Sequence, residues 1–119
     1  MSATSFITHK GSKILYIDLA RKTPEQLLAA IREAKAVIGQ QEPFSLLTLT
    51  DVEGSSYNRV VADELKAYVA HNKPFVRAGA VVGLNDLKRV IFNFLNRVTG
   101  RTLKGFDRVE AAKDWLASQ

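Results

Sequence analysis

The sequence predicts an α/β domain: a mostly parallel sheet of about five strands with an antiparallel N-terminal hairpin strand and four helices. Three observations predict it. Apolar runs of strand length alternate with longer stretches of helical period, in the order strand, strand, helix, strand, helix, strand, helix, strand, helix. Turn and cap residues punctuate them at Gly11, Thr23-Pro24, Gly39, Asn72-Lys73-Pro74, Gly83 and Gly100. Residues 45–57, SLLTLTDVEGSSY, read as a buried central strand that breaks off at Asp51 and runs through Gly54, Ser55 and Ser56 into a helix. In an open parallel sheet the loop beyond such a strand is where ligands and partners are met, because the next helix's free amides point there.

The elements follow in order. Residues 5–9 (SFITH) and 13–20 (KILYIDLA) flank Lys10, Gly11 and Ser12, the spacing of an antiparallel hairpin turning near Gly11. Leu15, Ile17 and Leu19 point one way and Ile14 and Tyr16 the other, so both faces of the second strand should be at least partly covered. Thr23-Pro24-Glu25-Gln26 starts a helix, with threonine at the cap, proline at the first helical position and glutamine placed to close a capping box. Leu27, Leu28, Ile31, Ala34 and Ile38 form its apolar stripe, and Gly39 ends it.

After the central strand, residues 57–71 form a second amphipathic helix, with Tyr57, Val60, Val61, Leu65, Tyr68 and Val69 expected inward and Ser55 or Ser56 as N-cap. Asn72-Lys73-Pro74 stops it. Residues 75–82 (FVRAGAVV) make the next strand, whose small Ala78, Gly79 and Ala80 suggest close approach by a helix. The third helix, residues 84–99, has the most regular stripe in the chain: Leu84, Leu87, Val90, Ile91, Phe94, Leu95 and Val98. Such a wide stripe is expected to face the sheet. Phe92 falls about a third of a turn off it, as a boundary contact or an exposed anchor. Residues 102–106 form a short last strand, and Asp107 with Glu110 a capping box for a final helix ending in Trp115-Leu116.

The totals bound what such a domain does. At 119 residues one domain spanning 1–119 is expected, with residues 1–4 disordered. The absence of cysteine excludes disulfides, thiolate nucleophiles and cysteine metal sites. The N-terminus lacks the apolar run of a signal peptide and no apolar stretch reaches membrane-span length, so the expected location is cytoplasmic. Between residues 73 and 106 seven cations, Lys73, Arg77, Lys88, Arg89, Arg97, Arg101 and Lys104, stand against one anion, Asp86. Together they predict a basic patch suited to an acidic partner or an anionic surface; a solvated face without a partner has the same composition.

No catalytic motif emerges, and no cofactor or metal is expected. Asp18 and Asp51 should lie close together at the sheet's carboxyl edge, where a carboxylate pair can hold Mg²⁺ or accept a phosphoryl group, but a strand-ending aspartate more commonly caps its own loop. His9 and His71, the only histidines, lack a Gly-x-Ser-x-Gly elbow to serve; His71 suits a helix carboxyl end. The glycines fit neither a dinucleotide fingerprint nor a P-loop, and the basic span lacks interleaved aromatics, which disfavours nucleic acid. Arg89, Arg97 and Arg101 flanking an apolar helix face suit either an anionic membrane surface or a pocket closed by a mobile helix and lined by Phe92 and Phe94.

Five stretches in order resemble the bacterial SpoIIAA-like family, which is grouped with STAS domains and more loosely with the CRAL-TRIO lipid-transfer fold. They are residues 13–19 (KILYIDL), Leu49-Thr50-Asp51 with Gly54, Asn72-Lys73-Pro74-Phe75, Ala80-Val81-Val82-Gly83 and Ala112-Lys113-Asp114-Trp115-Leu116. The resemblance covers about residues 6–116 and implies a non-catalytic regulatory or binding domain. In the anti-anti-sigma STAS proteins a serine or threonine opening the helix after the central strand is phosphorylated by a partner kinase, which breaks the partner complex. Ser55 and Ser56 fall in that place, although the order Asp51-Val52-Glu53-Gly54-Ser55-Ser56 departs from the usual Asp-Ser-Ser-Gly.

The leading expectation is therefore a SpoIIAA-like, STAS-like, non-enzymatic module that binds another protein, a regulator or a kinase-like partner. Its surface would be Asp51, Glu53, Gly54, Ser55, Ser56 and Tyr57 with the adjacent basic span. The alternative is a carrier or sensor of a small apolar or anionic ligand, working in solution or at a membrane surface. A homodimer is compatible with either.

Overall fold

Lys10 and Gly11 both adopt positive φ, 50° and 81°, the backbone of a two-residue turn whose twist suits the strands it joins. In the computed structural model, which describes residues 2–119, that turn links β1 (Thr4–His9) to β2 (Ser12–Asp18), setting His9 opposite Ser12 and Thr4 opposite Ile17. The next strands add in parallel: β3 (Leu46–Asp51) on β2, β4 (Val76–Val82) on β3, and β5 (Lys104–Phe106) on β4. The sheet order is thus β1-β2-β3-β4-β5, mixed only at the hairpin. β5 begins two residues later than expected.

The crossovers are α1 (Pro24–Ile38), α2 (Arg59–Asn72) and α3 (Asp86–Thr99), and α4 (Val109–Ala117) follows the last strand. Strand alternation splits the core in two. Leu15, Ile17, Leu46 and Val81 pack with Leu27, Ile31, Ile38, Val61, Leu65 and Leu95 of the crossover helices. Ile14, Leu47, Leu49, Ala80 and Val82 look the other way, onto Ala112 and Leu116 of α4.

Local chemistry sets the helix ends. The Thr23 hydroxyl accepts from the Gln26 N–H while the Gln26 side chain accepts from the Thr23 N–H, the capping box expected. Helix α2 starts two residues later than expected and is capped by Asn58, whose side chain accepts from the Val61 N–H at 2.9 Å, so neither Ser55 nor Ser56 is its cap. Val60 consequently lies on the outer side of the first turn, exposed rather than inward. Helix α4 has Arg108 at its cap position and no side-chain cap; Asp107 stands one residue too early for the box with Glu110.

Ser2, Ala3 and Thr4 do not trail free. The Ser2 hydroxyl, the Ala3 and Thr4 N–H groups and the Thr4 hydroxyl all donate to the Glu33 carboxylate on α1. Met1, the rest of the segment expected to be disordered, lies outside the described residues.

Candidate functional site

The loop leaving β3 is bonded down on both sides. The Leu19 and Arg21 N–H groups donate to the carbonyls of Asp51 and Glu53, the Ser56 N–H donates to Lys22, and the Val52 N–H donates to Val82. Glu53 lies against Gly83, which holds φ at 87°; a Cβ there would come within 2.5 Å of the Glu53 nitrogen, so this close approach requires glycine. The Ser55 hydroxyl donates to the Val52 carbonyl at 2.7 Å and the residue is only 8% exposed, so its hydroxyl is committed to its own turn. Ser56, Glu53 and Gly54 remain exposed.

Asp18 and Asp51 are register partners, as expected, yet each caps its own loop: Asp18 accepts from the Ala20 N–H and Asp51 from the Glu53 N–H, both at 3.0 Å. Among the described residues no third acid or histidine completes a metal-binding group. The Tyr16 hydroxyl lies 3.4 Å from Asp51, and burial, then the charges of Asp51 and Asp18, push its pKa up. His9 belongs elsewhere, 2.7 Å from Asp114 on α4; His71 meets the Asn72 side chain rather than a helix carbonyl.

The seven cations do not form one patch. Lys88 is 7% exposed and sends its ammonium inward to the Val52 carbonyl at 2.8 Å. Burial lowers its pKa, partly offset by Glu53 and Asp51. Arg101 also turns in, donating from Nη1 to the Val69 carbonyl in the last turn of α2 at 3.0 Å, where helix carbonyls lack their usual intrahelical donors. Lys104 lies over the Phe106 and Trp115 rings at the α4 side, 5.4 Å from each centroid. Lys73, Arg77, Arg89 and Arg97 are exposed.

Helix α3 departs furthest from expectation. Its buried residues are Lys88 and Leu95, with Ile91 and Phe92 partly buried beside them, whereas Leu87 is 70% exposed and Val90, Phe94 and Val98 are also open to solvent. At 100° per residue the inward line through Lys88, Ile91, Phe92 and Leu95 sits about a third of a turn away from the outward one. The regular stripe is therefore mostly the outer face. Phe92, the residue off that stripe, is the boundary contact that faces the core.

Beneath α3 lies a cavity of about 80 Å³, bounded by β2, β3 and β4, by α2 and by α3. Phe92 lines it; Phe94 does not, and belongs to a shallow groove between α2 and α3. Most of its wall is aliphatic or aromatic. Tyr57 contributes a ring, with the Lys88 ammonium 5.7 Å from its centroid. Gly79 makes room for Leu103, whose Cδ2 would lie 2.4 Å from a Cβ at that position. The small residues of β4 thus serve two approaches, a loop side chain at Gly79 and α4 at Ala80. The Tyr68 hydroxyl, shut from solvent, has no hydrogen-bond partner among the described residues. Burial pushes its pKa up to about 12, with Asn72 and Arg101 pulling the other way.

No protein-family model matches the chain, and no curated protein matches it in sequence. Among solved structures it aligns with an uncharacterised DUF3478-family protein with a SpoIIAA-like fold from Shewanella loihica PV-4. The TM-score is 0.73, over 96% of this chain and 92% of that one, at 19% identity. The fold is SpoIIAA-like. At that identity the likeness carries architecture alone. The SpoIIAA-like sheet of this chain runs in sequence order from edge to edge, so it lacks the reversal of strand order that opens a crevice beside a central strand. The loop after β3 is bonded down, and an open cleft at the carboxyl edge, lined by Asp51, Glu53, Gly54, Gly83, Lys88 and Asp107, lies where the chain leaves β4 and β5 toward helices on opposite faces. For the cavity under α3 the sequence hint was Phe92; what hid the cavity wall was Lys88, a charged residue in the middle of the buried line.

Proposed function

We propose that the chain is a non-enzymatic binding module that takes a small, mostly apolar ligand between its sheet and α3, with α3 as the movable wall. The observation that carries this reading is the apolar cavity under a helix that buries little of its own surface. Lys88 acts as the latch at one end, through its bond to Val52, while Asn96 holds the other end by exchanging hydrogen bonds with the Leu103 backbone. Displacing α3 enlarges a space that is itself small for a ligand.

Methyl NMR during titration with 1-hexanol tests this. Shifts should concentrate at Leu65, Val81, Ile91 and Leu95, around the cavity. No shift at these methyls would reject the reading. Shifts confined instead to Leu87, Val90 and Val98 would move the working surface to the outer ridge of α3. That outcome favours the second reading, a STAS-like module that meets another protein, for which the exposed ridge and the exposed Ser56 provide the support.

A further inference from the structure

The polar groups around the cavity are unequal in a way that bears on its ligand. Two cations, Lys88 and Arg101, reach its wall, and among the described residues no aspartate or glutamate does. They sit at opposite ends of α3, one in its first turn and one just beyond its C-cap Gly100. At the Lys88 end the ammonium already bonds to Val52 and feels the charges of Glu53 and Asp51. At the Arg101 end burial and Tyr68, rather than any carboxylate among the described residues, are what the guanidinium feels. Arg101 uses Nη1 on Val69 and has further N–H donors in its planar fork. Beside it the buried Tyr68 hydroxyl makes no hydrogen bond of good geometry among the described residues, although the Asn72 side chain and Arg101 both lie near enough to lower its pKa. The Asn72 carboxamide oxygen there is taken up with His71 Nδ1, 2.9 Å away.

An unpaired hydroxyl in an apolar wall costs free energy until something hydrogen-bonds to it. What the neighbouring groups select is an acceptor, since a cationic head would meet Arg101 with no acid to offset the repulsion. Resting on the ligand-carrier reading above, we infer that the Tyr68–Arg101 end of the cavity is a head-group subsite, and that the ligand is a small monocarboxylate with an apolar body. Its carboxylate accepts from Tyr68 and Arg101 while its hydrocarbon lies against Phe92, Leu95 and Ile91. The Lys88 end serves as the latch and stays out of ligand recognition.

Calorimetric titrations of the whole chain with hexanoate, hexylammonium and toluene test the assignment, at 0.3 M salt so that surface charge is screened. Hexanoate should bind at least about tenfold more tightly than hexylammonium, the range of a charge-assisted hydrogen bond. Tyr68→Phe removes only the hydroxyl and should leave the fold intact; it should weaken hexanoate about fivefold to tenfold and leave toluene unchanged. Equal affinity for hexanoate and hexylammonium would overturn the subsite, as it would if water alone satisfies Tyr68. So would a Tyr68→Phe variant that alters hexanoate and toluene alike. Because toluene has no head group, its binding separates the two ideas: if it binds without head-group preference the cavity stands and the subsite falls, and if none of the three binds the carrier reading falls as well.

Discussion

Glu33 shows how one side chain fixes a chain end. Its carboxylate accepts from two hydroxyls and two backbone N–H groups of Ser2, Ala3 and Thr4. Those bonds, Ser2 and Thr4 foremost, hold its pKa at about 2, below the usual 4.5. A depressed carboxyl pKa means that the unfolded chain binds the proton more readily, so the stability it contributes is present above the unfolded value and lost as pH falls through the folded one. The window is about pH 4.5 down to about pH 2. Glu33 lies near the surface, so solvent screening keeps the contribution at about 1 kcal/mol or less. Glu33→Gln should lower the midpoint of urea unfolding at pH 7 and flatten its acid dependence in that window. An unchanged acid profile would show that the N-terminal segment is held by strand pairing alone.

At the scale of the element, α3 makes the sharpest forecast. Leu95→Ala should cost about 2–3 kcal/mol, because it empties a buried position at the edge of the core. Leu87→Ala and Val90→Ala should stay within about 0.5 kcal/mol, although both residues belong to the most regular apolar stripe in the chain. Denaturant titration of the three variants decides between the two faces. Equal costs would mean that the outer ridge is covered in solution.

The same helix marks where the sequence stopped being legible. The existence and order of the elements were readable because period, caps and turn residues agree, most clearly at Thr23-Pro24-Glu25-Gln26 and Lys10-Gly11. Orientation was not readable for α3, because apolar residues cover more of its circumference than the sheet and α2 can bury, and Lys88 interrupts the face that is buried. The cap of α2 was misplaced for a different reason. Ser55, Ser56 and Asn58 are all good caps in isolation; Ser55 is committed to a local turn onto Val52, and the tertiary bond from the Ser56 N–H to Lys22 holds the loop so that the helix opens at Asn58. Of the candidate site, Phe92 was visible in the sequence; Tyr68, Arg101 and Lys88 took on their roles only through the packing of α2 against α3.

For the molecule as a whole, the two faces of the sheet are covered unequally. Three helices share one face, while α4, nine residues long, covers the other. Leu116, fully buried against Ile14, Leu47, Leu49 and Val82, therefore anchors a face with little else to hold it. Leu116→Ala should cost about 3 kcal/mol or more, a large part of the total stability of a domain this size. Thermal unfolding followed by circular dichroism measures it, and a loss under about 1 kcal/mol would mean that α4 packs less closely than its burial implies.

The edge-to-edge order of the strands has a consequence for how the chain assembles during its synthesis. No strand has to be inserted between two that are already paired, so each newly emerged segment finds the existing edge waiting for it and closes a loop of modest length. A ribosome delivering this chain from its N-terminus presents the hairpin first and then one strand-and-helix unit at a time, in the order in which they dock. The face of the sheet that α4 covers stays wet until those nine residues have emerged, so strand pairing runs ahead of the closing of the second core.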